Sequence, residues 1–419
     1  MTTTFTMPDF ALAAPEIYML SMACVVLIAD LFITDKNRVV TYALTQLTLL
    51  GAVLITIIGA PAETSFTFSG MYVSDNLSTV LNSFICIGTG FVFLYSRDYL
   101  RDRDIFKGEY YVLGLFGVLG MMVMVSAHSF LTVYLGLELL SLSLYAMVAF
   151  RRDSLSASEA AMKYFVLGAM ASGIALYGMS IIYGVTGTLQ LNEIGAILAG
   201  AETRTPAALL GSAFLLVGIA FKFGAVPFHN WVPDVYHGAP TAVTLYISTA
   251  PKLAAFAMLM RLLVDGLGGL QPQWHDILVL LSVLSLAIGN IVAIAQTNIK
   301  RMLAYSGISH IGFLLLGVLS GTQEGYAAGM FYAIVYVIMG LGGFGMVILM
   351  SRAGFEADKL DDYKGLNERS PWFALITKFL IFSMAGVAPV NDSWSKLSVI
   401  QEGVHADMTV LAPAGGVRL

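Results

Sequence analysis

Long unbroken apolar stretches constrain this chain more than any motif does. About twelve occur, at 14–34, 38–60, 76–96, 110–127, 129–150, 159–185, 206–225, 240–263, 276–296, 299–320, 325–350 and 371–400. A helix needs about 20 such residues to cross the hydrocarbon core of a bilayer. Lipid offers backbone amides and carbonyls no partners, so these runs are expected to be helices, and the short alternating segments of a membrane barrel are absent. Composition supports the same reading: of 419 residues, 58 % are hydrophobic and only 12 % charged, where a soluble domain carries roughly 25 % charge. Mean hydropathy is +0.80. The expected fold class is therefore an all-α polytopic membrane protein built as one membrane domain. Disorder and a soluble enzyme with a modest anchor are excluded. A net charge of −5 is small and of the wrong sign for nucleic-acid binding. Cys24 and Cys86 lie in apolar runs without a CxxC pair, so neither an iron–sulfur cluster nor a thiolate zinc site is expected.

The first run extends too far for a signal peptide and lacks a basic region before it, so it reads as a retained span. Loop cations give the orientation. Connections after odd-numbered runs hold 14 Lys and Arg, those after even-numbered runs 2, Arg204 and Arg261. The positive-inside rule then places the odd connections in the cytoplasm and the N-terminus outside. The longest polar stretches, 97–109, 186–205 and 351–370, read as loops, and the first cytoplasmic ones are too small to bind a nucleotide.

Five cations remain inside the runs, and all are lysine: Lys163, Lys222, Lys252, Lys378 and Lys396. Arginine stays protonated when buried, whereas lysine can give up its proton. A mid-membrane lysine costs about 2.5–3.5 kcal/mol on insertion scales, and such residues usually mark ion paths. Glu138 is the matching acid, about 12 Å into its run at about 1.5 Å per residue; a structural ion pair or a neutral, hydrogen-bonded carboxyl is the alternative role. Lys163 and Lys378 lie near the ends of their runs, where snorkelling is the competing explanation. Helix breakers crowd AFKFGAVPFHNWVPDVYHGAPTAV around Lys222, with His229 and His237 in the same loop. Irregular backbone at membrane depth survives only inside protein or beside water, and transporters build binding sites from it. Gly224–Pro227 before Trp231 is echoed by Gly386–Pro389 before Trp394, which suggests a duplicated unit. His310, inside the tenth run, is a further candidate. Gly340-Leu-Gly342-Gly343-Phe-Gly345 matches a dinucleotide fingerprint but sits inside an apolar run without a preceding strand, so close helix packing explains it.

The segment GLELLSLSLYAMVAFRRDSLSASEAAMKYFVLGAMASGIALYGMSIIYGVTG resembles the subunit N family of the proton-pumping NADH–quinone oxidoreductase, respiratory complex I. FKFGAVPFHNWVPDVYHGAPTAVTLYISTAPKLAAFAML and NIKRMLAYSGISHIGFLLLG are similar to signatures shared by its antiporter-like relatives. The resemblance runs from about residue 10 to 401. It implies two inverted five-helix repeats, each with a discontinuous helix: N-terminal helices 1–3 in 1–109, a first repeat of helices 4–8 in 110–265, an incomplete second repeat in 276–401 and an atypical tail in 402–419. It implies a proton relay through Glu138, Lys222, Lys252 and Lys396, with Lys163 and His310 as weaker members. It implies no metal and no cofactor on this chain. NADH, FMN, iron–sulfur clusters and quinone are expected in partner subunits, which include neighbouring antiporter-like subunits. The implied setting is the lipid bilayer of a bacterial inner membrane rather than a mitochondrial one. The chain departs from the family pattern at Ala388, where a second proline is usual, and at Asp392-Ser393, where Gly-Phe is usual. The family also continues through two more helices, to 14, where this sequence has EGVHADMTVLAPAGGVRL, which cannot span; a natural short form, a truncated product and an error in the recorded sequence stay open.

The expected mechanism pairs Glu138 with Lys222 in one state. At 4 Å and an effective dielectric of about 20 their attraction is about 4 kcal/mol, and about 1.36 kcal/mol is a tenfold change in proton affinity. Lys252 would carry the proton onward, His310 would bridge, and Lys396 would stand at the exit. Two other readings share this charged core: a subunit of a sodium–proton antiporter complex, and a mainly structural subunit of the membrane arm. Direct quinone binding is less attractive, since no compact polar pocket is legible.

Overall fold

The computed structural model describes residues 7–200, 202, 204–387 and 391–405. The apolar runs fold as helices, and their ends fall where local chemistry stops a helix. α1 (Ala14–Asp30) and α2 (Val39–Ile58) are followed by a short hairpin, β1 (Ser65–Thr67) with β2 (Tyr72–Ser74), in a connection that carried no strand expectation. α3 (Asn76–Arg101) starts on a capping box in which Asp75 accepts from the Ser78 amide and the Ser78 hydroxyl accepts from the Asp75 amide. α4 (Gly108–Val125), α5 (Phe130–Val148) and α6 (Leu155–Thr186) follow, the last two capped by Ser129 and Ser154. The 186–205 stretch, expected as a loop, contains α7 (Leu191–Leu198). Its apolar side, Leu191, Ile194 and Leu198, is buried, and burial at that spacing is what turns a loop into a helix.

The second half is more broken. α8 (Pro206–Phe223) and α9 (Trp231–Gly238) flank the glycine- and proline-rich interruption. The next run divides into α10 (Thr241–Ser248) and α11 (Ala250–Leu259), with a wider turn of helix over Met260–Gly266. Pro251 explains the division: it has no N–H and its ring excludes the carbonyl four residues back, so Thr249 takes a non-helical conformation. α12 (Gln271–Ile294), α13 (Ile299–Leu319) and α14 (Gln323–Met350) are continuous. The 351–370 stretch, also expected as a loop, holds a tight turn at Leu360–Tyr363 and α15 (Leu366–Arg369). The run at 371–400, read as one span with an interruption at Gly386–Pro389, is two helices, α16 (Pro371–Ala385) and α17 (Asn391–His405). Ala388 and Pro389 of the echoed motif, and the tail from 406, lie outside the described residues.

Ten helices among the described residues are long and apolar enough to cross a membrane. With α1, at 17 residues, and the interrupted α16–α17, the count is close to the twelve runs read from sequence. The interrupted α10–α11 span lies at the centre, walled in by α3, α4 and α14. Cationic connections meet at one face, where Arg103, Arg151 and Lys300 line a common cavity. Arg103 there bonds Glu356 at 2.9 Å and joins the 97–109 and 351–370 stretches. On the opposite face Arg261 makes two bonds to Asp75, at 2.8 and 2.9 Å, and pins the end of the central span to the start of α3. Burial pushes the Asp75 carboxyl up, but the Arg261 hydrogen bonds and charge outweigh it and hold the group below its ordinary value.

Glycines set a close helix contact. A Cβ on Gly136 would lie 2.7 Å from the Gly120 carbonyl oxygen and 2.7 Å from the Met124 amide, both backbone atoms that cannot yield. This contact between α4 and α5 places Glu138 two residues further on. Gly136→Leu is therefore expected to cost more than the usual 1–3 kcal/mol of overpacking, about the upper end or beyond, and to deplete the chain from membranes. Gly173→Leu, where a Cβ meets nothing within 4 Å, serves as the control and should accumulate normally. Equal amounts of both variants would contradict this packing.

Candidate functional site

α8 stops at Gly224, whose φ of +71° suits glycine and few other residues. Pro227 then prevents the helix from resuming. The last carbonyls of α8 are thus left inside the protein, where each needs a donor. Lys252 on α11 supplies one: its ammonium donates to the Phe223 carbonyl at 2.7 Å and lies 5.6 Å from the Trp231 ring centre. Trp231 Nε1 donates to the Phe221 carbonyl at 3.0 Å, and the Ser285 hydroxyl accepts from the Val226 amide at 2.9 Å. The carbonyl end of a helix carries about half a negative charge, so an ammonium is stabilised there.

Lys222 sits one residue before the end of α8 and is buried. Its ammonium donates to Ser141 Oγ at 2.8 Å. Ser141 lies three residues after Glu138 on α5, on the same side of the helix. Glu138 accepts a hydrogen bond from Ser172 on α6. The direct Glu138–Lys222 pair expected from sequence is not formed in this conformation, because Ser141 takes the ammonium and Ser172 the carboxylate. The two charges still interact through space, as do Lys222 and Lys252. Glu138, Lys222 and Lys252 are brought together as one cluster, with a serine partner on each of the first two.

A second cluster forms around the second interruption. Gly386, with φ of +82°, closes α16 as Gly224 closes α8. The Lys396 ammonium donates to the Met384 carbonyl at 3.1 Å, so it occupies the same kind of place as Lys252. It also lies 2.7 Å from the buried carboxylate of Asp392, one turn earlier on α17. Asp392, where the resemblance led to an expectation of glycine, supplies the partner of the lysine. His310 on α13 is buried and its Nδ1 lies 2.7 Å from the Tyr332 hydroxyl. It interacts through space with both Asp392 and Lys396.

Lys163 joins neither cluster. Its side chain is 44 % exposed and bridges Glu159 at 2.8 Å and Asp234 at 2.9 Å. Lys378 is exposed, with its ammonium 5.4 Å from the Phe382 ring. His229 packs beside Tyr305, and His237 stands at the mouth of a cavity described below. Among the buried ionisable groups that sequence did not single out are Lys300 and Glu16. Lys300, counted there as a loop cation, is buried against the carbonyls of His237 and Ala239. Glu16, near the start of α1, is buried and accepts from Tyr72, Ser126 and Asn82. Both lie at the edge of an apolar run, where position alone does not distinguish a snorkelling charge from a covered one.

Comparison with known proteins bears on the whole chain. Residues 127–418 match the family described as NADH:quinone oxidoreductase/Mrp antiporter, transmembrane. The NADH-quinone oxidoreductase subunit N of Thioalkalivibrio sulfidiphilus (strain HL-EbGR7) is 62 % identical over 411 residues, covering 98 % of this chain and 85 % of the relative. The subunit N of Alkalilimnicola ehrlichii is 57 % identical over 413 residues, covering 98 % and 84 %. A chain of respiratory complex I from Thermus thermophilus with bound aureothin superposes with a TM-score of 0.82 at 30 % identity, covering 96 % of this chain and 86 % of that one. A chain of the Mrp complex from Dietzia sp. DQ12-45-1b gives the same TM-score at 22 % identity, covering 97 % and 76 %, and shares the fold.

The Lys252 anchor has a measurable consequence. Lys252→Met keeps the side-chain length but removes the donor to the Phe223 carbonyl. A charged hydrogen bond contributes about 1.5–3 kcal/mol, so amide hydrogen exchange across 224–231 should quicken by roughly tenfold or more. Exchange in α4 should not change. An interruption that exchanges as slowly as in the parent would show that the lysine does not hold it.

Proposed function

The chain belongs to the NADH-quinone oxidoreductase subunit N family, and from that premise we propose that it is a proton-translocating subunit of the membrane arm of such an oxidoreductase. The observation that carries the reading is the pair of buried clusters, each with a lysine seated on the carbonyl end of an interrupted helix. The first cluster falls in the proposed repeat 110–265 and the second in 276–401. Residues 1–109 form the proposed N-terminal portion.

In this reading Glu138 is the group that senses the neighbouring subunit, Lys222 the carrier it controls, and Lys252 the next carrier. A swing of the Lys222 ammonium from Ser141 to Glu138 makes the ion pair, and the return breaks it. Either motion changes the proton affinity of Lys222 by several powers of ten, since a contact pair contributes about 4 kcal/mol at an effective dielectric of about 20. Serine hydroxyls suit the resting position because each donates or accepts as its neighbour requires. His310, with Tyr332, is a weaker relay beside the second cluster, and Lys396 with Asp392 is the exit-side pair. Lys163 links α6 to α9 and holds the interruption rather than the proton. The driving energy comes from quinone reduction in other subunits. NADH, FMN, iron–sulfur clusters and quinone belong to those partners, and no step here asks this chain to hold them. The bilayer is taken as the bacterial cytoplasmic membrane, with the face that carries the cationic connections inside and the N-terminus outside.

The test is the assembled complex in sealed vesicles. Lys222→Ala is expected to assemble and to lower the number of protons moved per quinone reduced, and Lys222→Arg, which keeps the charge but holds its proton, is expected to do the same. An unchanged ratio in both would remove the relay and leave a structural role.

A further inference from the structure

The interruption between α8 and α10 is held by lysine at both ends. Lys252 takes the Phe223 carbonyl at its start. At its close, the Lys300 ammonium donates to the carbonyls of His237 at 3.0 Å and Ala239 at 2.7 Å, where α9 ends. Lys300 is buried, yet among the described residues no carboxylate lies within ion-pair distance of it. The two acids nearby have other partners. Glu356 is taken by Arg103 at 2.9 Å, and Asp358 accepts from Asn298 Nδ2 at 2.8 Å.

In front of Lys300 lies a cavity of about 160 Å³, lined among others by His237, Glu356, Asp358, Arg103 and Arg151. Its walls mix polar groups with apolar ones such as Ile105 and Pro240, and its volume suits several water molecules, each of which needs two to four polar partners. It opens on the face that gathers the cationic connections. His237 stands at the mouth with its side chain 47 % exposed and its Nε2 4.0 Å from Asp358. An amine that only closed a helix would be served as well by arginine, which the neighbouring faces use freely. A lysine facing water on one side and an interrupted helix on the other can also change its protonation without losing its anchor, because a neutral amine still donates N–H to a carbonyl.

We propose that this cavity and Lys300 are the cytoplasmic proton-loading site of the chain, with His237 exchanging protons with bulk water and Lys300 as the first buried acceptor. The step is a proton transfer: a hydronium in the cavity gives its proton to the neutral amine and leaves water and an ammonium. The inference rests on the proton-carrying reading above and names where that reading takes in its protons.

The experiment uses the assembled complex in sealed vesicles and compares Lys300→Arg, Lys300→Met, Ser156→Trp and Lys222→Ala by protons moved per quinone reduced. Lys300→Arg keeps a charge and donors for both carbonyls but holds its proton, while Ser156→Trp fills the cavity mouth and leaves Lys300 intact, which covers the case of a Lys300 variant that does not assemble. Loading through this site predicts that arginine does not rescue: Lys300→Arg lowers the ratio to the level of Lys222→Ala, and Ser156→Trp lowers it too. A helix-closing role predicts the reverse, with Lys300→Arg at the parental ratio and only Lys300→Met impaired. Parental ratios in Lys300→Arg and Ser156→Trp alongside a lowered ratio in Lys222→Ala overturn the loading site and leave the relay standing. Parental ratios in Lys222→Ala as well would remove the relay itself.

Discussion

An ammonium inside hydrocarbon must be answered by something, and in this chain the answer is mostly the carbonyl end of a helix. Lys252, Lys300 and Lys396 each donate to such a carbonyl, and Lys222 donates to a serine. The arginines at the faces behave differently. Arg103 and Arg261 meet carboxylates squarely, at 2.9 and 2.8 Å, and act as struts between elements. A carboxylate at contact fixes a proton on its partner. A carbonyl or hydroxyl holds the nitrogen in place in either protonation state, and so allows the charge to change while the geometry stays. Lys396 is the exception, since Asp392 stands against it.

The interruptions follow from the same need. A continuous helix consumes its own carbonyls and has none to offer. Gly224 and Pro227 free those of α8, Pro251 divides the central span, and Gly386 frees those of α16. Backbone so exposed is tolerable only inside protein or beside water; the breaks after α8 and within α10–α11 lie among buried side chains, α2 and α6 face outward with many exposed apolar side chains, and α16 is itself largely exposed. Close glycine contacts such as Gly120 against Gly136 then bring α4 and α5 near enough to seat Glu138 and Ser141 opposite Lys222.

Much of this was legible in the sequence, for physical reasons. Run length gives spans, because hydrocarbon thickness sets helix length. Lysine among apolar residues gives the charged core, because such residues are costly and rare. Gly-x-x-Pro gives the interruptions. What could not be read is who answers each charge. Lys300 looked like a loop cation because it opens a run, and nothing local says that the end of a distant helix covers it. Glu16 was passed over for the same reason. The Glu138–Lys222 pair was expected from charge alone, whereas Ser141 takes the ammonium and Ser172 the carboxylate, and neither serine carries a signature in sequence. The break in 371–400 was marked by Gly386 and Pro389, but the pairing of Lys396 with Asp392 just beyond it was not.

The central claim is that the buried lysines change protonation as the complex turns over. Infrared difference spectroscopy of the complex, with ¹⁵N in the lysine side chains and Lys222→Arg as the assignment control, reads this directly. Proton carriage by these lysines requires bands of a neutral amine that form and vanish during quinone reduction and are missing from the Lys222→Arg complex. Lysine bands that stay those of an ammonium from the resting state through steady turnover would contradict it.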